Sequence, residues 1–525
     1  MRLLFLLCVI LLCVRLYAAQ QVGFGDSEAL YASYAVHPQA AYLDHPGLVG
    51  LVARVIGGGT APAPQQAHLF TAFVSSVVPL LVAWAARVAG ASPRAAVVAG
   101  AIVAVTPEIA IGLFGLTPDL LLAPLWLGAI GLALFGVTKP AVPEPPPADT
   151  RKKKPPGTKN KKPPPAPLPK DESRRHGALA FAGILAGLSA SAKVSGLLLV
   201  AALVYSFVVL RIRVLWAWLG LLAGLLVFAP VVLFEATHGF PMVRHRLFEA
   251  PSVVTTSGVS LVLRNVGTLL GGQLAYLSPI LAVVAVIVAR DLFRERNRDA
   301  ATRVLFATFA IPIVPLLFLC LWSPVAEPHW LAPPLLTLPI HAARRAGQIR
   351  GIGQRVLIAG GGLAAVLTAI VHAWILVPSF ATLLPASFDP KLDITNELYG
   401  WPAAIKSVRA AMLETATPFD PMGHDVIVVG PHWIVCAQLQ AAMPDVRVGC
   451  ATPIKDDFDG WVPREKWRAA DKVLYVTDNR FPGNGASELP GHVVASEHTT
   501  RVYRAGRPAR TFAFYLYTRQ AVGAL

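Results

Sequence analysis

Apolar residues run in long blocks through the first three quarters of the chain and in much shorter blocks after that. A helix needs about 20 mainly apolar residues to cross the hydrocarbon core of a bilayer. By that measure the pattern predicts eleven membrane spans, at 3–19, 67–86, 95–112, 118–137, 177–192, 195–210, 214–234, 266–289, 304–322, 328–343 and 356–377. The span at 328–343 is short and holds Pro333, Pro334 and Pro339, and the pair at 177–210 is split by Lys193. The first block ends at Arg15, and Tyr17-Ala18-Ala19 is a poor cleavage site, so it reads as a retained helix rather than a signal peptide.

Beyond residue 379 the period changes. Asp425–Gly430 reads as a buried strand, followed by a helix through Cys436 to Met443. Further strands are expected at 446–448, 472–477, 492–495 and 511–517. Strands alternating with helices make an α/β domain. The expected division is therefore a transmembrane domain over 1–378 and an α/β domain over 379–525. No GxGxxG or phosphate loop occurs in the tail, so it carries no nucleotide signal.

Composition agrees with a membrane protein. Only 14% of residues are charged, against about a quarter in soluble domains, and the mean hydropathy is +0.56. The net charge of +16 is uneven: residues 1–377 hold 31 Lys and Arg against 15 acids, while the tail is neutral. Alternating sides across eleven spans puts 25 basic residues on the side of the N-terminus. The opposite side holds only Arg54, Lys193, Arg244, Arg246 and Arg264. Cytoplasmic loops are the ones enriched in Lys and Arg. The N-terminus is therefore expected inside and the C-terminal domain outside, and the basic excess reports topology rather than a nucleic-acid surface. The Pro- and Lys-rich stretch at 139–176 cannot form a core and is expected as a disordered cytoplasmic loop, with lysines near anionic headgroups.

The outward loop after the first span is the most informative stretch. It reads Gly25-Asp26-Ser27-Glu28-Ala29-Leu30-Tyr31, then Tyr42-Leu43-Asp44-His45-Pro46-Gly47-Leu48. A second outward turn gives Thr117-Pro118-Asp119, with Glu108 nearby. Acids beside membrane spans are functional candidates. Plainer roles exist for each: solvated loop acids at Asp26 and Glu28, helix caps at Asp44 and Asp119, and a snorkelling Lys193. Gln273 suits a bond to a neighbouring helix, and Trp330 and Trp401 suit an interfacial belt. Cys436 and Cys450 either pair in an oxidising compartment or stay as thiols. No HExxH or CxxC pattern marks a metal site, and no cofactor is implied with certainty. The acidic loop has ligands for a loosely held Mg²⁺ or Mn²⁺.

In order, DSEALY…YLDHPGL, TPD, Gly187-Leu-Ser-Ala-Ser-Ala-Lys193, Thr237-His238-Gly-Phe240, Gly271-Gly-Gln-Leu-Ala-Tyr-Leu-Ser-Pro279, Glu327-Pro-His-Trp330 and Asn396-Glu-Leu-Tyr-Gly-Trp401 span residues 20–405. Together they resemble the dolichyl-phosphate-mannose protein mannosyltransferase superfamily, and more closely its bacterial branch, which includes the aminoarabinose transferases of lipid A. Each motif is weak alone; the seven in sequence carry the likeness.

The resemblance implies a GT-C fold and an inverting glycosyltransferase using a polyprenyl-phosphate-linked sugar on the outer face of the membrane. The acceptor is a glycan, a lipid or a protein. In such a reaction a carboxylate takes the proton of the attacking hydroxyl, and cations hold the leaving phosphate. The family begins this loop with adjacent Asp-Glu, whereas here Ser27 stands between Asp26 and Glu28. Asp26 is the expected base, with Glu28 second. Asp44, His45, Asp119, His238 and Glu327 are expected to bind donor or acceptor, and Lys193 and Arg244 to hold the phosphate. A flippase for a lipid-linked glycan also uses charges near a membrane. Transporters often show two similar halves; no such repeat is seen here, and the acids gather on one face.

Overall fold

The computed structural model describes residues 1–138, 170–249, 258–323, 327–348 and 351–520. The expected loop at 139–176 falls mostly outside these residues. Its last part, from Lys170, is already the start of a helix.

The N-terminal half is a helical bundle. Its elements are α1 (Arg2–Gln21), α2 (Asp26–Ser33), α3 (Leu48–Ile56), α4 (Pro64–Val88), α5 (Pro93–Val105), α6 (Pro118–Val137), α7 (Lys170–Ala192), α8 (Gly196–Val209) and α9 (Leu215–Thr237). After these come the helices Gly258–Leu277, Pro279–Arg294, Ala300–Trp322 and Ile352–Leu376.

Among the described residues six helices are long and apolar enough to cross a membrane: α1, α4, α6, α9, Ala300–Trp322 and Ile352–Leu376. The other apolar blocks take different forms. The block at 95–112 gives the 13-residue α5 and then a π-turn at Glu108–Gly112. Pro107 explains the break, because it has no N–H to continue the ladder. The block at 266–289 is two helices bent by 103°. Ser278 sits at the bend with φ +79°, just before Pro279, and a residue preceding proline is driven out of the helical region. The block at 328–343 is a 3₁₀ turn followed by the short helices Ala332–Leu335 and Thr337–Arg345.

Helices α7 and α9 meet through two small-residue stripes, Gly183/Gly187 and Gly220/Gly224. A β-carbon added to Gly187 would stand 2.1 Å from the backbone of Gly224, and one on Gly220 would stand 2.1 Å from the Ala180 carbonyl. Without a solvent-driven hydrophobic effect, such close backbone approach is a main source of helix association in a bilayer. Helix α1 is packed into the bundle by a buried cation. Arg15 bonds the Ile109 carbonyl at 2.9 Å, the Ala110 carbonyl at 3.2 Å and Ser76 Oγ at 3.0 Å. The π-turn frees these carbonyls, and the guanidinium is one of the few groups with enough donors to satisfy them.

The C-terminal part is a sheet of five strands in the order β2-β1-β3-β5-β4. They are β1 (Ile427–Gly430), β2 (Val448–Cys450), β3 (Lys472–Asp478), β4 (His492–Arg504) and β5 (Arg507–Arg519). β1 pairs in parallel with β2 and β3, and β5 runs antiparallel to β3 and β4. The last two strands are longer than their apolar cores indicate. They form a hairpin turning at Ala505-Gly506, both with positive φ, a geometry that matches strand twist. The sheet domain is anchored to the end of Ile352–Leu376 by buried Arg504, which bonds the carbonyls of Trp374 and Ile375 and the Thr395 hydroxyl.

Candidate active site

Helix α2 begins immediately after Gly25, and its third residue, Glu28, reaches back to the Gly25 N–H at 3.0 Å. The same carboxylate accepts from Leu116 N–H at 2.6 Å and faces His68 Nε2 at 3.1 and 3.2 Å. Burial opposes its ionisation, but His68 and the two backbone donors outweigh that and hold Glu28 below its ordinary pKa. A carboxylate has about four acceptor positions, and these three N–H groups take most of them. Glu28 thus fastens α2 to α4 and to the turn before α6.

Asp26 at the start of α2 is buried and paired with an arginine from the sheet domain. Arg480 meets it at 2.6 and 3.2 Å through two nitrogens, and its Nε lies 3.2 Å from Asp478. Arg510 bonds the same Asp478. Burial disfavours charge on Asp478, yet Arg510 and Arg480 together keep it below the usual range. Glu397 touches Asp26 carboxyl to carboxyl, and burial followed by Asp26 pushes its pKa up to about 8.

More of the sheet domain closes on the first loop. Gln438 donates to the Phe24 carbonyl at 2.9 Å. Asp457 accepts from Tyr34 Oη at 3.1 Å and Leu43 N–H at 3.0 Å. Burial pushes Asp457 up to about 7. Trp461 stacks on His37 with ring centres 4.3 Å apart, beside the Tyr34–Tyr42 stack.

A second polar cluster lies at the other end of α2, around Tyr31. Lys193 is buried and holds both oxygens of Asp119, at 2.9 and 2.8 Å. His329 Nε2 stands between Asp119 at 3.5 Å and Glu327 at 3.3 Å. Asp44 faces Arg246 at 3.0 Å and His245 at 3.8 Å. His45 packs edge-on to Tyr31 with ring centres 5.5 Å apart. Burial, helped by Lys193, drives its pKa down to about 3, so it is a neutral imidazole. The charges of Asp44, Asp119, Glu327 and Arg246 all act on the Tyr31 hydroxyl.

Of the expected site residues, Asp44, His45, Asp119, Lys193 and Glu327 are therefore brought together around Tyr31, and Glu28 and Asp26 lie three and five residues before it on α2. Asp119 is not the cap of α6; Thr117 is, accepting from Leu120 N–H at 3.3 Å. His238 is exposed, stacked on Phe234 at 4.2 Å with Nδ1 against the Phe234 carbonyl at 2.9 Å. Arg244 is exposed at the end of the short helix Pro241–Arg244, and Arg246 is the arginine that reaches Asp44. Trp401 is not a belt residue: it is buried against Phe512 at 5.0 Å and under the Arg510 guanidinium at 4.6 Å. Gln273 does bond a neighbouring segment, at the Pro328 carbonyl, 2.8 Å away.

Other participants were not among the expected site residues. Glu397 and His329 sit inside the motifs Asn396–Trp401 and Glu327–Trp330. His68 carried a signal, as a lone ionisable group in an apolar span. Arg480 had none, being one of many charges in a neutral tail.

An apolar cavity of about 410 Å³ runs between α5 and the helices Gly258–Leu277, Pro279–Arg294, Thr337–Arg345 and Ile352–Leu376. Its walls include Val98, Ile102, Leu281 and Leu336, and its polar edge includes Glu108 and Gln273. Glu108 also lies within the electrostatic reach of Asp119 and Lys193. Among the described residues, the group with His and acid ligand atoms close enough to share an ion is Asp291, Glu295 and His341. It lies beside Arg344, which bonds Ala89 at the far end of α4, roughly 36 Å from the first loop by helical rise. There Arg345 already pairs with Glu295 at 2.7 Å. Cys436 and Cys450 are both buried free thiols.

No family model and no curated protein matches the sequence. Solved structures do match. The structure of ArnT from Cupriavidus metallidurans bound to undecaprenyl phosphate has a TM-score of 0.59 at 15% identity, covering 98% of this chain and 97% of that one. Its apo state gives 0.60 at 15% identity, covering 97% of each chain. The likeness extends over both the helical bundle and the sheet domain, in the same order. The chain therefore shares the fold of the ArnT structures, the GT-C type that its motifs implied.

Proposed function

We propose that the protein transfers a sugar from a polyprenyl-phosphate-linked donor to an acceptor hydroxyl on the outer face of the cytoplasmic membrane, with inversion. The observation that carries this reading is a buried cation, Lys193, held 2.8 Å from Asp119 in the same helical bundle as an apolar cavity of about 410 Å³. A lipid phosphate needs both, room for a long apolar tail and a cation for its anion. Undecaprenyl phosphate in the ArnT structure supports the same ligand class.

Lys193 spends two of its three N–H donors on Asp119, and the third is available to a phosphate oxygen. Arg246 adds a second cation beside Asp44. Asp26 is the base. It is paired with Arg480 of the sheet domain, which covers the acceptor side, whereas Glu28 is enclosed by His68 and two backbone N–H groups as the fastening of α2. Asp26 and Tyr31 are five residues apart on α2, a rise of roughly 7.5 Å along the helix axis. The acceptor oxygen bonds to the anomeric carbon, the anomeric carbon–phosphate oxygen bond breaks, the proton goes to Asp26, and polyprenyl phosphate leaves. The sheet domain, closed over the first loop by Trp461, Asp457 and Arg480, cradles the acceptor.

The test is a turnover assay in lipid with a panel of radiolabelled polyprenyl-phosphate sugars and membrane extract as acceptor. Transfer by wild type that is lost in Asp26→Asn, with folding intact, supports both reaction and base. Movement of labelled lipid between leaflets without transfer favours the flippase.

A further inference from the structure

We propose that Glu397 is a positioning residue for Asp26: the two carboxyl groups share one proton, Glu397 being the neutral partner and Asp26 the charged one. This deepens the reading of Asp26 as base and rests on it.

The geometry leaves little choice. Glu397 Oε1 stands 3.0 Å from where a β-carbon on Gly25 would be, so the side chain fills the slot that glycine leaves open in front of α2. Its segment is fixed on both sides. Leu398 carbonyl accepts from Gly23 N–H at 2.9 Å, Asn396 Nδ2 donates to Pro390 carbonyl at 2.9 Å, and Arg510 reaches the Glu397 carbonyl at 3.4 Å. Thus held, the Glu397 carboxyl meets that of Asp26. Two carboxylates in contact repel unless a proton lies between them.

The surrounding charges decide which group keeps it. From the end of β3, Arg480 commits three nitrogens to Asp26 and Asp478, and Arg510 from β5 bonds Asp478. From α2, Glu28 adds negative charge, with its carboxylate facing His68 Nε2 of α4 at 3.1 Å. His432 contributes none, since burial and Arg480 push it down to about 4. Asp26 has the guanidinium and ionises; Glu397 holds the proton. The shared hydrogen bond fixes the Asp26 rotamer and leaves its remaining lone pairs for the acceptor hydroxyl. When Glu397 loses its proton the pair becomes two repelling anions, and Asp26 is left with the Arg480 fork alone.

The test uses the full chain in lipid nanodiscs. Infrared pH titration of wild type should show a carboxylic-acid C=O band present at pH 7 that disappears near pH 8. The band should be smaller in Glu397→Gln by one carboxyl group and keep the Glu397 part in Asp457→Asn and Glu108→Gln, the controls for the other buried acids. In the transfer assay, wild type should lose turnover on the alkaline side. Glu397→Gln, whose amide donates permanently, should keep at least about tenfold more turnover than Glu397→Ala, with its alkaline limb moved up by a pH unit or more. A residue of merely structural importance would not move that limb. A band in wild type no larger than that in Glu397→Gln overturns the proposal. So does an unchanged alkaline limb. If no donor is turned over, the transferase reading fails by itself and the infrared band still decides the proton.

Discussion

Arg480 closes on Asp26 across 454 positions of sequence, one guanidinium fork on the two oxygens of one carboxylate. The pair is mostly buried and ties the sheet domain to the first loop of the bundle. Removing one partner of such a pair leaves an uncompensated buried charge, which typically costs about 3–5 kcal/mol. Arg480→Ala is therefore expected to lower the melting temperature and to open the sheet domain to protease. Arg480→Lys should recover only part of the loss, since an ammonium cannot match the fork. Equal protease sensitivity in wild type and Arg480→Ala would show that the pair does not hold the domains together.

Lys193 and Asp119 make the second test. Removal of a single donor that stabilises charge in a transition state lowers turnover by roughly 10²–10³, and Lys193→Ala is expected to do the same here. Lys193→Arg should restore charge but not position. Measured transfer within threefold of wild type for Lys193→Ala would exclude it from phosphate stabilisation.

Glu28 sets an acid limit on stability. Its folded pKa is below its ordinary 4.5 because His68, Gly25 and Leu116 donate to it. A group depressed in this way stabilises fully above its unfolded value and ceases to as pH falls through the folded one. The melting temperature of wild type should thus fall below pH 4.5, and Glu28→Gln should be less stable at pH 7 with a shallower acid dependence. Identical melting curves against pH in the two proteins would remove Glu28 from this role.

The α7–α9 contact is expected to tolerate no side chain. With Gly224 backbone 2.1 Å from a β-carbon on Gly187, Gly187→Leu forces the helices apart. Overpacking of this kind costs about 1–3 kcal/mol or more. Monodispersity in detergent and melting temperature should both drop, whereas Gly177→Ala, where a β-carbon meets nothing within 4 Å, should be silent.

Much of this molecule was legible in its residue order. Apolar blocks separate the helical bundle from the tail, because the bilayer requires about 20 apolar residues in a row and a soluble strand does not. The strands at β1 and β3 were visible as buried-type runs, and the first loop stood out because acids beside a membrane span are costly to place. Block length did not reveal where helices break. Ser278-Pro279 and Pro107 end helices inside apolar blocks, since the backbone donor, not hydropathy, fails there.

The pairings were decided only by the tertiary structure. Asp26, Ser27 and Glu28 are neighbours in sequence, yet successive helical positions point 100° apart. One acid therefore meets Arg480 and Glu397 while the other meets His68 and Leu116. Lys193 alone reads as a snorkelling lysine; across 74 positions Asp119 makes it a buried cation. The sequence determined which chemical groups are available and on which kind of element they sit. Which of them touch, and so which carry charge, was set by long-range packing, because Coulomb energy depends on distance and burial and neither is written along the chain.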